Sequence, residues 1–302
     1  MKKLLLPVII QVMKIKDILN KTRPAFSFEF FPPKDDSGFD SLFHTIEKLK
    51  PLSPAFVSVT YGAGGSSRNK TIDLVGRIKN DVGIEAMAHL TCVGHSRAEI
   101  GDVLNSLKSK GIENILSLRG DPPKGAEKFE ANENGFKYAN ELTQYIKQNH
   151  SFCLGVAGYP EIHPESNSEA SDIDNLKKKV DAGGDFIITQ LFFDNDHYFK
   201  FVDKVSKAGI SAPVIPGIMP ILNFKQTIRF TQMCKTEIPV ELMRKMEHLK
   251  DDSEAVKQVG IDHASMQCKE LLRQGSPGIH FYTLNRSTAT LAIMESLRSN
   301  AF

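Results

Sequence analysis

Glu29 lies in FSFEFFPPK (26–34), one carboxylate among four phenylalanines. An ionised carboxylate taken out of water costs several kcal/mol unless it is paired, hydrogen-bonded or kept protonated. Either Glu29 faces solvent on the other side of a strand from the rings, or its setting serves chemistry. Other polar and ionisable groups fall at the downstream ends of apolar runs: Thr60 with Tyr61, His89, Arg119 with Asp121, Tyr159 with His163, Gln190, and Tyr282 with Arg286. Each has an ordinary reading. His89 alone could be a core histidine bonded to a carbonyl, and LRGD could be a strand end turning on Gly120. Collected at one end of a sheet, however, they would supply acids, bases and hydrogen-bond donors to a single pocket.

The segment YGAGGSSRNKT (61–71) could be a turn whose Ser66 or Ser67 caps a helix, or a glycine-rich loop that lets N–H groups approach a phosphate. The nine histidines show no H-x-x-x-H or H-E-x-x-H spacing, so no metal site is expected. Neither a Walker A loop nor a G-x-G-x-x-G turn is present. The four cysteines form no C-x-x-C pair, and Cys92 and Cys153 lie in apolar runs; buried reduced thiols suit a cytoplasmic protein.

The elements that must position these groups are short apolar runs, each followed by a stretch of helical periodicity. The runs are 25–31, 55–61, 84–92, 114–120, 152–160, 185–193, 212–218 and 278–285. Helices are expected over 38–50, 96–111 and 170–184, with two or three more between Pro239 and Arg273. Uniformly apolar strands alternating with helices predict a parallel sheet covered by helices. Eight such units fit an α/β fold of the (β/α)8 TIM-barrel type, which places its site at the strand C-terminal ends. A doubly wound open sheet is the alternative, though it would show fewer strands. One domain is expected over 13–302, preceded by an extension, residues 1–12, that is disordered or reflects an early start codon. The apolar stretch in that extension is too short to span a bilayer. Basic residues number 38 against 36 acidic ones and gather nowhere with aromatics, so neither nucleic acid nor membrane is an expected partner.

FSFEFFPPK, VSVTYGAGGSSR, AHLTC, LRGDPP, YPEIHPES, DNLKKKVDAGGDFIITQLFFD, IPGIMPILNFKQ and HFYTLNR, in order from about residue 14 to 298, together resemble the methylenetetrahydrofolate reductase family. The resemblance implies a TIM barrel holding noncovalent FAD. NADH or NADPH would reduce the flavin, which then passes hydride to methylenetetrahydrofolate in a ping-pong cycle, supplying methyl groups for methionine synthesis. It implies flavin contacts at Thr60, Tyr61, Ala63, His89, Leu118, Arg119, Gly120, Asp121, Tyr138, Ala139, Tyr159, His163 and Ser166. Further contacts would come from Asp172, Asn175, Lys178 and Lys179, of which the first three share a helix face at i, i+3 and i+6. The resemblance implies an arginine where this chain has Lys178, so a point charge there would replace a bidentate fork.

For the substrate, the resemblance implies Glu29 and Asp121 as catalytic residues, with Thr60, Gln190, Gln226, Phe230, Tyr282 and Arg286 binding the ligand. Opening the five-membered ring of the folate at N10 needs a proton. A carboxyl whose pKa is raised by an apolar pocket, with phenylalanines as tuning elements, could give one. Asp121 would stay ionised and stabilise the cation so formed. The family further implies a homo-oligomer such as a tetramer, and a chain without the C-terminal regulatory domain that eukaryotic members use to sense S-adenosylmethionine. A TIM-barrel glycosidase built on Glu29 and Asp121 is a rival, weakened by the absence of tryptophan for sugar stacking. A ligand-binding barrel without turnover is another.

Overall fold

In the computed structural model, residues 13–33, 35–61, 65–122 and 129–299 are described; the expected extension over 1–12 lies outside them, as does Ala63. The strands are β1 (Ala25–Phe30), β2 (Phe56–Val59), β3 (Ala86–Thr91), β4 (Asn114–Leu118) and β5 (Cys153–Gly158). They continue as β6 (Phe186–Thr189), β7 (Val214–Ile215), β8 (Gly217–Ile218) and β9 (Gly278–Tyr282). All pair in parallel, in the order β7-β6-β5-β4-β3-β2-β1-β9-β8.

The single run expected over 212–218 is therefore divided in two. Pro216 has no N–H to give a ladder, and it separates the piece paired with β6 from the piece paired with β9. Its carbonyl accepts the N–H of His280 at 2.9 Å. Both ends of the sheet thus meet at one residue, and the ring closes into a TIM barrel.

The helices stop and start on local chemistry. Ser96 and Glu99 form a reciprocal capping box before Arg97–Ser109, and Asp35 accepts Gly38 N–H at the start of Asp36–Leu49. The stretch from Pro239 to Arg273 gives two helices, Val240–His248 and Ser253–Arg273. Because the following helix begins at Gly65, Ser66 and Ser67 lie inside it rather than at its cap.

Strand alternation answers the question posed by FSFEFF. Phe28 and Phe30 point outward, fully buried beneath the helices with Leu42, Ile46 and Leu297. Each such ring contributes roughly 1.5–3 kcal/mol by burial. Ala25 points inward, into a separate core with Phe56, Met87, Leu116, Cys153 and Phe186. Ser27 and Glu29, two and four residues on, share that inner face. The lower mouth is stopped by Ile15 and Leu19 of the helix Ile15–Lys21. Asn114 fastens this plug: its Oδ1 accepts Ile15 N–H at 2.8 Å, and its Nδ2 donates to Glu85 at 2.9 Å. Glu85 in turn pairs with the buried Lys79 at 2.7 Å.

Candidate active site

A cavity of about 630 Å³ opens at the strand C-terminal ends. Its volume lies within the range of small-molecule and cofactor sites. Glu29, Thr60, Tyr61, His89 and Gln190 line it, as do Leu118, Arg119, Gly120 and Asp121 after β4. Ala139, Tyr159, His163, Lys179, Phe230 and Tyr282 complete the set of expected residues found there. A second concavity of about 700 Å³ lies between helices on the outside of the barrel, where Lys110–Asp73 and Arg77–Asp81 are already paired.

Strand register assembles the floor. Glu29 sits beside Ser58 on β2 and Tyr282 on β9, while Ser27 sits beside His280. The Oε2 of Glu29 lies 3.4 Å from Nε2 of both His89 and His280. His280 is fully buried, and its Nδ1 is 2.8 Å from Ser27 Oγ.

The expected upward shift of Glu29 does not occur. Burial does push its pKa up, and is the largest single influence. Together, though, the charge of His89, the hydrogen bond and charge of His280, and the Ser58 hydroxyl outweigh burial and carry it below the usual carboxylate value. Phe26, Phe28 and Phe30 are not its tuning elements, because they lie on the opposite face of β1, and Phe31 is exposed beyond the strand end. Burial, helped by the charge of His280 and opposed by that of Glu29, takes His89 down to about 4, so its imidazole is neutral at pH 7.

Around this floor the walls are largely apolar, with a few polar groups set among them. The Tyr61 hydroxyl meets His95 Nε2 at 3.2 Å, and Arg68 holds the other ring nitrogen at 2.7 Å. Burial lifts the Tyr61 and Tyr159 hydroxyls to about 12, with Asp121 adding to the shift of Tyr159, so both remain protonated. Gln190 accepts Leu191 N–H at 2.9 Å, which orients its amide. Tyr282 donates to Thr189 O at 2.6 Å and offers the cavity its ring rather than a free hydroxyl. Arg119 is gripped by Glu165 at 2.5 and 2.7 Å and lies over the Phe129 ring. Asp121 is exposed at the rim, where its charge acts on Tyr159, Cys234 and Arg119.

Seven expected residues are not on the cavity wall: Tyr138, Ser166, Asp172, Asn175, Lys178, Gln226 and Arg286. Tyr138 is 49% exposed at the rim, beside Ala139. Asp172 and Ser166 instead buttress the loop that carries His163, the carboxylate accepting His163 N–H at 3.1 Å and Ser166 Oγ at 3.0 Å. Lys178 is exposed and donates to Asn175 at 3.2 Å, as the shared helix face requires. Gln226 and Arg286 are exposed, Gln226 one turn from Phe230 on the helix Phe224–Cys234.

Sequence reasoning missed Ser27, Ser58 and His280, although a period-two reading of β1 and β9 puts Ser27 with Glu29 and His280 with Tyr282. It also missed Glu165, and Thr91, Met219 and Met233 on the wall.

Several residues here have the chemistry to hold a flavin dinucleotide. Among the described residues, two buried polar atoms on the cavity wall make no hydrogen bond, Thr91 Oγ1 and His89 Nε2, the latter with Glu29 Oε2 at 3.4 Å, and buried polar groups are seldom left so. Gly120 has φ +88°, and a Cβ there would lie 2.9 Å from Val93, so bare backbone faces the cavity. Lys179 supplies a cation, its pKa lowered by burial to about 8, and donates to Ala157 O at 2.5 Å.

Comparison with known proteins follows the same line. The methylenetetrahydrofolate reductase family model matches residues 14–298. Methylenetetrahydrofolate reductase (NADH) 1 of Arabidopsis thaliana is 43% identical over 95% of this chain and 50% of its own length. The chain thus spans about half the length of the plant relatives it matches. The 5,10-methylenetetrahydrofolate reductase of Escherichia coli K12 is 42% identical over 90% of both chains. Among solved structures, a Clostridium thermocellum protein that binds two copies of 5-methyl-5,6,7,8-tetrahydrofolic acid superimposes with a TM-score of 0.64. It is 13% identical and covers 95% of this chain and 98% of its own, so it shows the shared fold alone.

Proposed function

This chain belongs to the methylenetetrahydrofolate reductase family, and on that premise we propose that it reduces 5,10-methylenetetrahydrofolate to 5-methyltetrahydrofolate at the expense of NADH or NADPH. The observation that carries the reading is one carboxylate, Glu29, buried at the floor of a cofactor-sized cavity whose wall bears polar atoms that make no hydrogen bond among the described residues. Noncovalent FAD, when bound, would supply the hydride-transfer chemistry between nicotinamide and folate.

The protein's share is binding, orientation and proton handling. His89 Nε2, Thr91 Oγ1 and the Gly120 backbone are suited to hold the flavin, and Lys179 its pyrophosphate. Phe230 offers a face on which the aminobenzoyl ring of the folate or the nicotinamide can stack. Glu29 delivers a proton from its carboxyl to N10 and so opens the five-membered ring. In the ligand-free site the surroundings of Glu29, His280 and Ser58 bonded to it among them, favour its ionised form, so it must acquire that proton as the ligand enters. A ligand over Glu29, which is 17% exposed, excludes the remaining water and strengthens the desolvation that favours the neutral acid. Asp121, exposed at the rim, is placed to offset the positive charge that ring opening creates.

The test is anaerobic stopped-flow kinetics on Glu29→Gln. The variant should remain yellow with FAD and be bleached by NADH, while the reduced enzyme fails to turn over methylenetetrahydrofolate. Loss of flavin reduction with folate turnover intact would refute the assignment.

A further inference from the structure

Outside the cavity, three side chains from separate elements converge. Glu161 follows β5, His197 lies in the first turn of the helix Asn195–Lys207 after β6, and Glu237 follows the helix Phe224–Cys234. Each presents one ligand atom, and the three atoms lie within 4.8 Å of one another. A second observation concerns the carboxylate at the centre. Glu161 Oε2 accepts the backbone N–H of Glu237 at 2.8 Å, whereas its Oε1 is buried and has no hydrogen-bond partner among the described residues. A buried acceptor left open is costly, and in native proteins it commonly marks a missing water or ion.

The charges point the same way. Two carboxylates share one place with a single imidazole. A divalent ion satisfies all three donors and replaces the repulsion between the acids with attraction.

We propose that Glu161, His197 and Glu237 bind one divalent first-row transition ion, Zn²⁺ foremost. One imidazole nitrogen and two carboxylate oxygens form a donor set that Zn²⁺ takes at about 2.0–2.2 Å, with water completing the tetrahedron. Ligand atoms at such distances are somewhat closer together than 4.8 Å, so a small rotamer adjustment closes the site. The ion joins the loop that carries Tyr159 and His163 to the segment that follows Phe230 and Met233, both of which line the cavity. Its role is to fasten two walls of the pocket, without taking part in hydride transfer. No local sequence spacing betrays it, because the three ligands lie in three distant elements.

Full-length protein, stripped with EDTA and desalted, should be titrated with ZnCl2 by calorimetry and with Co²⁺ by visible absorption. We expect one ion per chain, with tetrahedral Co²⁺ bands. Glu237→Gln and His197→Gln, both chosen to spare the fold, should each weaken binding at least about tenfold. Zn²⁺ should raise the melting temperature of the wild type and not of Glu237→Gln, since an ion bound only to the native state stabilises it. No binding up to about 1 mM would overturn the proposal. So would full affinity retained in both variants, which would assign the ion to the cysteines. A third contrary result is a raised His197 pKa by NMR without metal uptake, which would make the cluster an ion pair alone.

Discussion

The Nε2 of His280 lies 3.4 Å from the Oε2 of Glu29, while Ser27 Oγ holds the other ring nitrogen at 2.8 Å. An ionised carboxylate accepts only, so His280 Nε2 must carry a proton, and where Nδ1 carries none Ser27 donates to it. The carboxylate sets the proton on Nε2, and the serine hydroxyl, able to donate or to accept, holds the ring in place. His280 is a positioning residue, acting on the chemistry through the acid it faces.

His280→Phe keeps the ring that stacks on Phe56 but removes the donor. Of the influences on Glu29, burial raises its pKa and His280 lowers it, so the variant's Glu29 must titrate at higher pH. A charge-assisted hydrogen bond contributes about 1.5–3 kcal/mol, which corresponds to a shift of about one to two units. The alkaline limb of the folate half-reaction should therefore move to higher pH while flavin reduction by NADH keeps its profile. An unmoved limb with only a lower maximum would reduce His280 to packing.

The same geometry ties ligand binding to proton uptake. Glu29 begins below the ordinary carboxylate value and must be protonated to open the folate ring. A folate analogue that fills the cavity should then draw a fraction of a proton from weakly buffered solution at pH 6–7, read with an indicator dye. Glu29→Gln should bind the analogue without that uptake. Equal uptake by both proteins would place the proton elsewhere.

Much of this arrangement was legible before the fold was known. The eight apolar runs mark the barrel, and fifteen expected site residues do line one cavity. The sense of the shift at Glu29 was not legible, because composition counts neighbours along the chain while a strand sends alternate neighbours to opposite faces. Phe28 and Phe30 are adjacent to Glu29 in sequence and absent from its surroundings; His89 and His280, remote in sequence, are in contact with it. The division at Pro216 is a ring-closure effect, visible only once β6 and β9 are seen to claim opposite sides of one segment.

The opposite mouth holds a buried ion pair. Lys79 and Glu85 are 2% and 6% exposed and paired at 2.7 Å, with Asn114 donating to the same carboxylate. Replacing Lys79 by Met leaves a buried carboxylate without its cation and should cost about 3–5 kcal/mol, measured as a lower urea midpoint. Adding Glu85→Gln should recover part of that loss, since an amide oxygen still accepts from Asn114. A single variant within about 1 kcal/mol of the wild type would show that water replaces the lysine.

Lys179 makes cofactor retention depend on pH. Burial, only partly offset by Asp172, lowers its pKa from the usual lysine value to about 8, and its one hydrogen bond goes to Ala157 O. For folding, the sign follows from proton counts. Between about 8 and the ordinary lysine value of about 10.5 the unfolded chain binds more protons than the native one, so this residue makes stability rise with pH across that window. For an anionic ligand the sign is reversed. Below pH 8 the ammonium is already charged and attracts a pyrophosphate, whereas above it a proton must be taken up on binding. FAD affinity should therefore hold steady to about pH 8 and then fall by up to about tenfold per unit. Lys179→Met should bind FAD more weakly at pH 7 and lose the break near pH 8, while Lys178→Met, altered on the exposed helix face, should keep both. Fluorescence titration of the apoprotein with FAD from pH 6.5 to 9.5 reads all three curves, and a break that survives in Lys179→Met would move the phosphate contact to another cation.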